Sequence, residues 1–518
     1  MNNIRSLLSI TVSALIILIV FKVQSQGKEI WIDPAFKNIN NTNVYVKVWF
    51  EKQLLADGNS FELMKRQYAG KKRTLLRENI IDMLKTTSDR SFGNAKPAID
   101  ELVSAGKIEN ITKHWIINGF TCRLLVNDPE TLRNIPGVSK VFRVPVMREN
   151  PRIREVGPRF ISNIQQHTEI DFQNVICSWN MEKLRVDKVW KDFGITGEGV
   201  LSIIHDFGFK IDIPIINRNI YRNTGEIPAN KKDDDNNGYV DDYHGFNFTE
   251  NSSRINIQVI NDAGIIHGNL CAGIISGSFF DNSNEIFGAA PCSKWAPVIV
   301  NPANLEQSVE WAIEQNADIY TMSFSIPILG EFRSHLRRII EQGTICGIYF
   351  VSGAGNFADE SKPNYAPVPE QMRFPEDIPE AVFGVAGLNR RMVRPLFSSQ
   401  GPVRWETHEY SEGLVKKPDF VTFNVGIETF DLNENKDKRM MNGNSFAGPQ
   451  LAGVLALMLS ADKDLLQWDA REILINTSKD VHDNGFDYQT GYGLVDAYEA
   501  VKEVLRRNEK LGHLSSIN

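Results

Sequence analysis

From about residue 183 onward, the sequence alternates between apolar runs of strand length and stretches with the spacing of amphipathic helices. Uninterrupted apolar strands that alternate with helices are typical of a parallel sheet covered on both faces. We therefore predict an α/β domain with a mostly parallel sheet and helices on both faces over residues 183–505, followed by a polar tail, 506–518. The strand-like runs are 200–204, 295–300, 319–322, 345–351 and 381–386, and the helix-like runs are 268–275, 304–315 and 331–342.

Residues 40–148 have the element order of a separate small domain. The predicted elements are a strand at 44–50, helices at 73–85 and 95–103, strands at 111–117 and 120–126 joined by the hairpin signal Asn118-Gly119, a short helix from Asp128 through Arg133, and a strand at 138–144. The order β-α-β-β-α-β is typical of a ferredoxin-like α+β domain. Weak periodicity over 149–182 predicts a linker and processing region.

The first 25 residues have the pattern of an export signal. A short polar, basic segment precedes a nearly uninterrupted apolar run at 7–21, and small residues follow near Ser25. The alternative is an uncleaved membrane anchor, but the run is shorter than the ~20 residues of a spanning helix. We expect a secreted or periplasmic protein that contacts a membrane only if the signal stays uncleaved.

The overall charge excludes one class of function. The chain has 57 Lys and Arg against 64 Asp and Glu in 518 residues, a formal net charge of −7. A dedicated nucleic-acid binder usually carries a basic surface. We therefore expect no nucleic-acid partner.

Three short motifs carry an acid, an imidazole and a hydroxyl, in that order. Asp206 ends a strand-like run, His267 opens the run His-Gly-Asn-Leu-Cys-Ala-Gly, and Ser445 lies in Gly-Asn-Ser-Phe-Ala-Gly-Pro just before a buried helix. Each has a plain structural alternative: a turn acid, a structural histidine and a helix N-cap serine. Together they offer a nucleophile, a base and an acid that orients the base.

A fourth motif follows another strongly apolar strand. The run 352–356, Ser-Gly-Ala-Gly-Asn, places small residues and the Asn356 amide at a strand end. Such an amide can donate to an anionic oxygen, and the alternative is an ordinary glycine-rich turn.

These four segments together resemble the subtilisin-like serine proteases, the subtilases, in which the triad order is Asp, His, Ser. The resemblance extends over nearly every segment between 185 and 500. Further segments that match the family are 197–200, 288–291, 312–323, 397–402, 417–419 and 491–496. This resemblance implies a secreted serine endopeptidase that needs no cofactor for catalysis and acts on protein or peptide substrates.

The resemblance also implies a role for each site residue. Ser445 would attack the scissile carbonyl, His267 would act as base and then acid, Asp206 would orient His267, and Asn356 would stabilise the oxyanion. The leading domain would be a propeptide that blocks the groove as an intramolecular inhibitor. The residues implied to bind substrate are Ser323, Phe324, Ser325, Gly353, Ala354 and Gly355.

The sequence departs from the family pattern at several positions. Asn269 and Asn444 stand where the family has Thr, and Ser325 stands where a Gly normally lines the first pocket. Two other functions therefore stay open beside a general protease. One is a maturation protease dedicated to a single partner, and the other is a catalytically silent binding scaffold.

An acidic loop matches the first half of an EF-hand calcium loop. Carboxylates at alternate positions and a glycine at the sixth position suit a hard cation, but the twelfth position is His244 rather than Glu. The alternative is a solvated acidic loop. A structural calcium ion is therefore a hypothesis, with the ligands Asp233, Asp235, Asn237 and Asp241.

Overall fold

The computed structural model describes residues 30–38, 43–56, 59–145, 154–155, 172–258, 266–278, 284–429 and 439–515. The predicted export signal and most of the predicted processing region lie outside these ranges. Within these ranges, none of the helices combines the length and the apolar character that crossing a membrane requires.

The leading domain, residues 30–145, is built on a five-stranded sheet in its described part. The strands are β1 (Trp31–Ile32), β2 (Val44–Phe50), β3 (Ile108–His114), β4 (Gly119–Leu124) and β5 (Val138–Arg143). Their order is β1-β5-β2-β4-β3, which is the ferredoxin-like arrangement with one extra edge strand. The helices are α1 (Ser60–Tyr68) and α2 (Arg73–Ser104), with a short 3₁₀ helix at Pro129–Asn134 whose first turn is capped by Asp128. The predicted α+β architecture is confirmed.

Two details of the leading domain differ from the prediction. The two helices expected at 73–85 and 95–103 form the single helix α2, which continues through Pro97. The hairpin turn occupies residues 115–118, so the apolar Trp115 to Ile117 leave the strand pair. They do so because the main-chain N–H groups of Trp115 and Ile116 donate to Glu310 of the following domain, at 2.6 and 2.8 Å.

The main domain, residues 172–515, contains a sheet of seven parallel strands in the described part of the chain. Its order is β18-β15-β14-β13-β8-β12-β9. The strands are β8 (Leu201–His205), β9 (Phe246–Asn247), β12 (Lys294–Ile299), β13 (Ile319–Met322), β14 (Tyr349–Gly353), β15 (Val382–Leu388) and β18 (Phe420–Phe423). The predicted parallel α/β fold is confirmed, and each predicted strand lies within a few residues of an observed one.

Short strand pairs and helices complete the main domain. The short strands are β7 (Ile176–Cys177), β10 (Ile257–Gln258), β11 (Glu285–Ile286), β16 (Val403–Glu406), β17 (Ser411–Val415), β19 (Ile427–Thr429) and β20 (Arg439–Met441). One further strand, β6 (Arg154–Glu155), precedes the domain in sequence and pairs with β10. The helices are α3 (Trp179–Lys183), α4 (Val186–Phe193), α5 (Pro214–Asn217), α6 (His267–Ser276), α7 (Leu305–Glu314), α8 (Phe332–Ile345), α9 (Ala447–Ala461), α10 (Gln467–Thr477) and α11 (Ala497–Ser515). Residues 447–459 of α9 are all buried, so this helix forms the centre of the core.

The main domain begins earlier than predicted. β7 already pairs in parallel with β11, so ordered structure of the main domain starts before residue 183. At the other end, α11 continues to Ser515, and the polar C-terminal tail is largely the end of this helix.

The two domains share one hydrophobic core. Trp49, Leu55 and Trp115 of the leading domain belong to the same buried cluster as the strands of the main sheet. A buried ion pair of 2.6 Å between Arg73 and Asp318 crosses the junction. The junction is therefore a continuation of the core of the main domain.

Candidate active site

Asp206 follows β8 directly and lies at the carboxyl edge of the parallel sheet, where ligand sites of α/β folds form. Its main-chain N–H donates to Val298 O at 3.1 Å, which fixes it to the neighbouring strand β12. The carboxylate is 3% exposed. Oδ1 accepts from the N–H of Phe207 at 2.8 Å, and Oδ2 remains available to a second donor.

His267 supplies that second donor. Its Nδ1 lies 2.6 Å from Asp206 Oδ2, and the imidazole is partly exposed at the first residue of α6. Gly268 allows this approach, because a Cβ there would lie 2.6 Å from the ring of Phe209 and 3.0 Å from Asp206 Cβ. The Asn269 amide holds the loop after Asp206 by accepting from Lys210 N at 2.9 Å and donating to Lys210 O at 2.8 Å.

The contact with Asp206 changes the basicity of His267. Burial by itself would lower the pKa of His267, but the Asp206 carboxylate and, after it, the Cys271 sulfur raise this pKa well above the usual value for histidine. The carboxylate therefore stabilises the protonated imidazole and fixes its orientation. This is what a base requires when it takes a proton from a hydroxyl.

Ser445 lies in a 3₁₀ turn, Asn444–Phe446, that leads into α9. Its neighbour Phe446 packs beside His267, with ring centroids 5.7 Å apart. The Ser445 hydroxyl donates to Ser323 O at 3.3 Å, so this side chain must rotate before His267 can take its proton. Hydrogen bonds of a catalytic group are often formed only when substrate is present.

Asn356 follows β14 and is held next to the serine turn. Its Oδ1 accepts the main-chain N–H of Asn444 at 2.9 Å, which fixes the amide plane and leaves Nδ2 as the donor for a ligand. The Asn444 side chain lies in a buried polar network and not in the groove. It accepts from Asn424 Nδ2 at 2.7 Å and donates to Ser398 Oγ at 3.0 Å.

The six residues implied to bind substrate leave two adjacent strands. Met322 of β13 pairs with Ser352 of β14, so the segments 323–325 and 353–355 leave the same edge of the sheet side by side. Gly353 approaches the serine turn so closely that a Cβ would lie 2.1 Å from Asn444 O. The Phe324 ring packs against His205, with centroids 4.5 Å apart. The other four residues implied to bind substrate are Ser323, Ser325, Ala354 and Gly355.

The acidic loop brings together a different set of carboxylates from the predicted one. Ligand atoms of Glu226, Asp235 and Asp242 lie within 4.8 Å of one another. Asp233 accepts from the N–H groups of residues 237 and 238, and Asp241 accepts from those of 230 and 231, so both hold turns of the loop. The fourth predicted ligand, Asn237, donates its amide to Asp235 and Asp242.

A cation fits the observed set. Glu226 is 4% exposed and its Oε2 is buried without a hydrogen-bond partner among the described residues. Burial raises the pKa of Asp242, and the nearby Asp235 charge adds to this effect. Three converging carboxylates are the donor set that a hard cation prefers, and a cation would remove their mutual repulsion.

Sequence reasoning missed three groups at the site. Cys271 Sγ lies 3.9 Å from His267 Nδ1 and 3.7 Å from Ser445 O, so it packs between the base and the nucleophile. Glu226 precedes the acidic loop in sequence and meets its carboxylates only in the fold. Glu376 belongs to none of the sequence motifs, but its carboxyl accepts from Ser325 Oγ at 2.6 Å. Cys271 lies within the motif that begins at His267, but a cysteine in an apolar helix gives no separate signal of a functional role.

Comparison with known proteins agrees with this geometry. The sequence model of the protein family described as "Subtilase family" matches residues 177–493 of the chain. Bacillopeptidase F of Bacillus subtilis is 23% identical over 85% of this chain and 30% of its own length. Subtilisin DY of Bacillus licheniformis is 24% identical over 48% of this chain and 83% of its own length.

A third relative, fervidolysin of Fervidobacterium pennivorans, is 25% identical over 44% of this chain and 33% of its own length. The chain therefore spans about a third of the length of bacillopeptidase F and of fervidolysin.

Proposed function

Because the chain belongs to the subtilase family, we propose that it is a serine endopeptidase that hydrolyses peptide bonds through an acyl-enzyme. The observation that carries the proposal is the 2.6 Å contact between His267 Nδ1 and Asp206 Oδ2 beside the turn that holds Ser445. A buried acid that orients a partly exposed imidazole has little use in a protein that only binds a ligand.

The residues act in sequence on one peptide bond. After its side chain rotates, Ser445 gives its proton to His267 Nε2 while Oγ attacks the carbonyl carbon. The C–N bond then breaks as His267 returns the proton to the leaving amine, and Ser445 keeps the acyl group. Water, with His267 again as base, releases the acid and restores the hydroxyl. Asp206 keeps its charge throughout and stabilises the imidazolium.

Asn356 Nδ2 and the main-chain N–H of Ser445 stabilise the negative oxygen of the tetrahedral intermediates. The positive end of the α9 dipole favours the same charge, because the turn that holds Ser445 leads directly into this helix. The contact between Asn356 Oδ1 and Asn444 N holds the donor in place before substrate binds. A donor that is fixed in advance needs no reorganisation during the reaction.

The leading domain acts as a propeptide, and the protein is made as an exported zymogen. Residues 33–35 of the leading domain face residues 326–331 of the main domain across a cavity of about 460 Å³. The segment 326–331 directly follows the substrate segment 323–325, so the leading domain is positioned beside the groove. The predicted export signal is consistent with activation outside the cytoplasm.

A structural calcium ion is held by Glu226, Asp235 and Asp242. The orphaned Oε2 of Glu226 supports this choice over the four ligands expected from the loop pattern. The ion would stabilise the loop and takes no part in peptide-bond cleavage.

The test is covalent labelling by a fluorophosphonate probe, followed by N-terminal sequencing of the mature protein. We expect a label on Ser445 that is absent in Ser445→Ala, and a mature N-terminus between about 148 and 182 in the wild type only. An unlabelled, unprocessed wild type would indicate a silent scaffold. A peptide-library profile then separates a general protease, which cuts many sequences, from a maturation protease dedicated to one partner.

A further inference from the structure

Glu376 is a buried carboxyl that touches both segments of the predicted substrate pocket. It is 0% exposed and lies between β14 and β15 in the sequence. Its Oε1 accepts from Ser325 Oγ at 2.6 Å. On the other side, a Cβ built on Gly355 would lie 3.0 Å from the same oxygen. The carboxyl therefore forms a floor on which the two walls of the pocket meet.

This carboxyl has no counterion within the described ranges. Its Oε2 is buried without any hydrogen-bond partner. The guanidinium of Arg373, three residues earlier, lies 3.8 Å from the centroid of the Phe357 ring and forms no ion pair with Glu376 in the described structure. The adjacent Asp377 is already paired with Arg333 at 2.6 Å. Oε1 accepts from Ser325 Oγ and from the main-chain N–H of Arg373, but a buried carboxyl with its second oxygen unpartnered and no counterion among the described residues is costly, so its retention in a pocket floor points to a ligand.

The electrostatic surroundings of Glu376 favour a cationic partner. Burial raises the pKa of Glu376 to about 8, against the hydrogen bond from Ser325, and the Asp377 charge adds to the effect. At neutral pH, without a cation beside it, this group is therefore largely the neutral acid. A cation that enters the pocket favours the carboxylate and releases the proton to solvent.

We propose that Glu376 determines specificity and that the enzyme cleaves after lysine or arginine. This inference rests on the proposed protease function. A long cationic side chain of the residue before the cut extends between segments 323–325 and 353–355 and donates to Glu376. It supplies the hydrogen bond that Oε2 lacks. The Ser325 hydroxyl, which stands where the family has glycine, keeps the carboxyl oriented.

The chain itself offers matching substrates. The predicted processing region carries three arginines over a short stretch, Arg152, Arg154 and Arg159, and Arg148 directly precedes it. Self-cleavage is therefore expected to follow an arginine, and the mature N-terminus is expected directly after one of these four.

The test measures kcat/KM on peptides that differ only in the residue before the cut, with Lys, Arg, Gln, Leu or Phe there. We expect the wild type to prefer Lys and Arg over Leu by about 10- to 100-fold, since a charged hydrogen bond contributes ~1.5–3 kcal/mol. Glu376→Gln should lose that preference, while Glu370→Gln, which changes an exposed carboxylate of the same segment, should keep it.

The outcomes separate this inference from the proposed function. A wild type that neither reacts with the fluorophosphonate nor cleaves any peptide overturns the protease function. A labelled, active wild type that prefers apolar residues, or a mature N-terminus that follows an apolar residue, overturns the role of Glu376 alone. These two wild-type measurements decide the question even when Glu376→Gln does not fold.

Discussion

His114 should make the stability of the chain depend on pH in a direction that the structure defines. This histidine ends β3 at the junction of the two domains and is 1% exposed. Its Nε2 contacts Thr121 Oγ1 at 2.7 Å, and its Nδ1 has no partner within the described chain. Lys47 donates to the same Thr121 and to Glu306 of the main domain, at 2.9 Å each. A second proton on His114 would therefore be buried beside a cation.

The magnitude follows from the shift in pKa. Burial, assisted by the charges of Lys47 and His335 and opposed by Glu306, lowers the pKa of His114 from 6.5 to about 3. Above pH 6.5, His114 is neutral in both the folded and the unfolded chain. As the pH falls below 6.5, the unfolded chain takes up a proton that the folded chain does not, so the free energy of unfolding decreases. Each pH unit corresponds to about 1.4 kcal/mol, so His114 should cost about 2 kcal/mol at pH 5.

Other groups at the junction titrate in the same range. Burial lowers the pKa of His335 as well, which gives the same sign. Burial also raises the pKa of Glu310 to about 8, and a carboxyl with a raised pKa gains stability as the pH falls from 8. The Lys47 ammonium and the hydrogen bond with His335 act against burial and hold the pKa of Glu306 well below its usual value, so Glu306 stays charged in this window. The total slope therefore mixes opposing contributions.

The assay compares variants for this reason. Free energies of unfolding are measured by denaturant titration at pH 7.5, 6 and 5 in a Ser445→Ala background, which keeps the chain uncleaved. The stability of His114→Gln relative to its background should rise by about 2 kcal/mol between pH 7.5 and 5. His482→Gln, at an exposed site, should show no such change. Parallel curves for His114→Gln and its background would refute the reasoning.

The remaining predictions concern the active site and the acidic loop. Because Asp206 raises the pKa of His267, activity should fall as the pH drops through a value above 6.5, and Asp206→Asn should move this limb to lower pH while kcat falls about 10⁴-fold in steady-state assays. Asn356→Ala should lower kcat by ~10²–10³ with little change in KM, and labelling of Ser445 should persist. Calcium at a hundred times its Kd should stabilise the chain by about 2.7 kcal/mol in thermal unfolding, and Glu226→Gln should remove most of this gain.

The sequence predicts whatever depends on local pattern. Uninterrupted apolar runs located five of the seven parallel strands within a few residues but not β9 and β18, and the position of Asp206 at a strand end placed it at the carboxyl edge of the sheet. The turn at residues 115–118 was not predictable in this way. Trp115 and Ile116 are apolar and continue the strand pattern, but Glu310, almost two hundred residues later, takes their N–H groups. Contacts between domains decide such local choices, and no local pattern contains them.

The carboxylates also divide into those that the local sequence predicts and those that only the fold brings together. The spacing of the acidic loop predicted Asp235 as a ligand, whereas Glu226 and Asp242, which were not predicted, lie beside it only through the fold. Glu376 had no motif of its own, and its importance arises from the two segments that meet on it. A titratable group in a core is therefore visible only when its burial and its partners are known.

The two asparagines that replace threonine explain why the departures from the family pattern need not weaken the site. Asn269 uses both ends of its amide on the main chain of Lys210, and Asn444 uses both ends of its own on Asn424 and Ser398. A threonine hydroxyl would have to donate and accept from a single oxygen, whereas the amide divides these roles between two atoms of one planar group. The replacement thus exchanges a possible direct donor to the oxyanion for rigid support of the segments that hold His267 and Asn356. Stabilisation of the oxyanion then depends on Asn356 and the Ser445 N–H, and it depends on how firmly the buried layer behind them holds their positions.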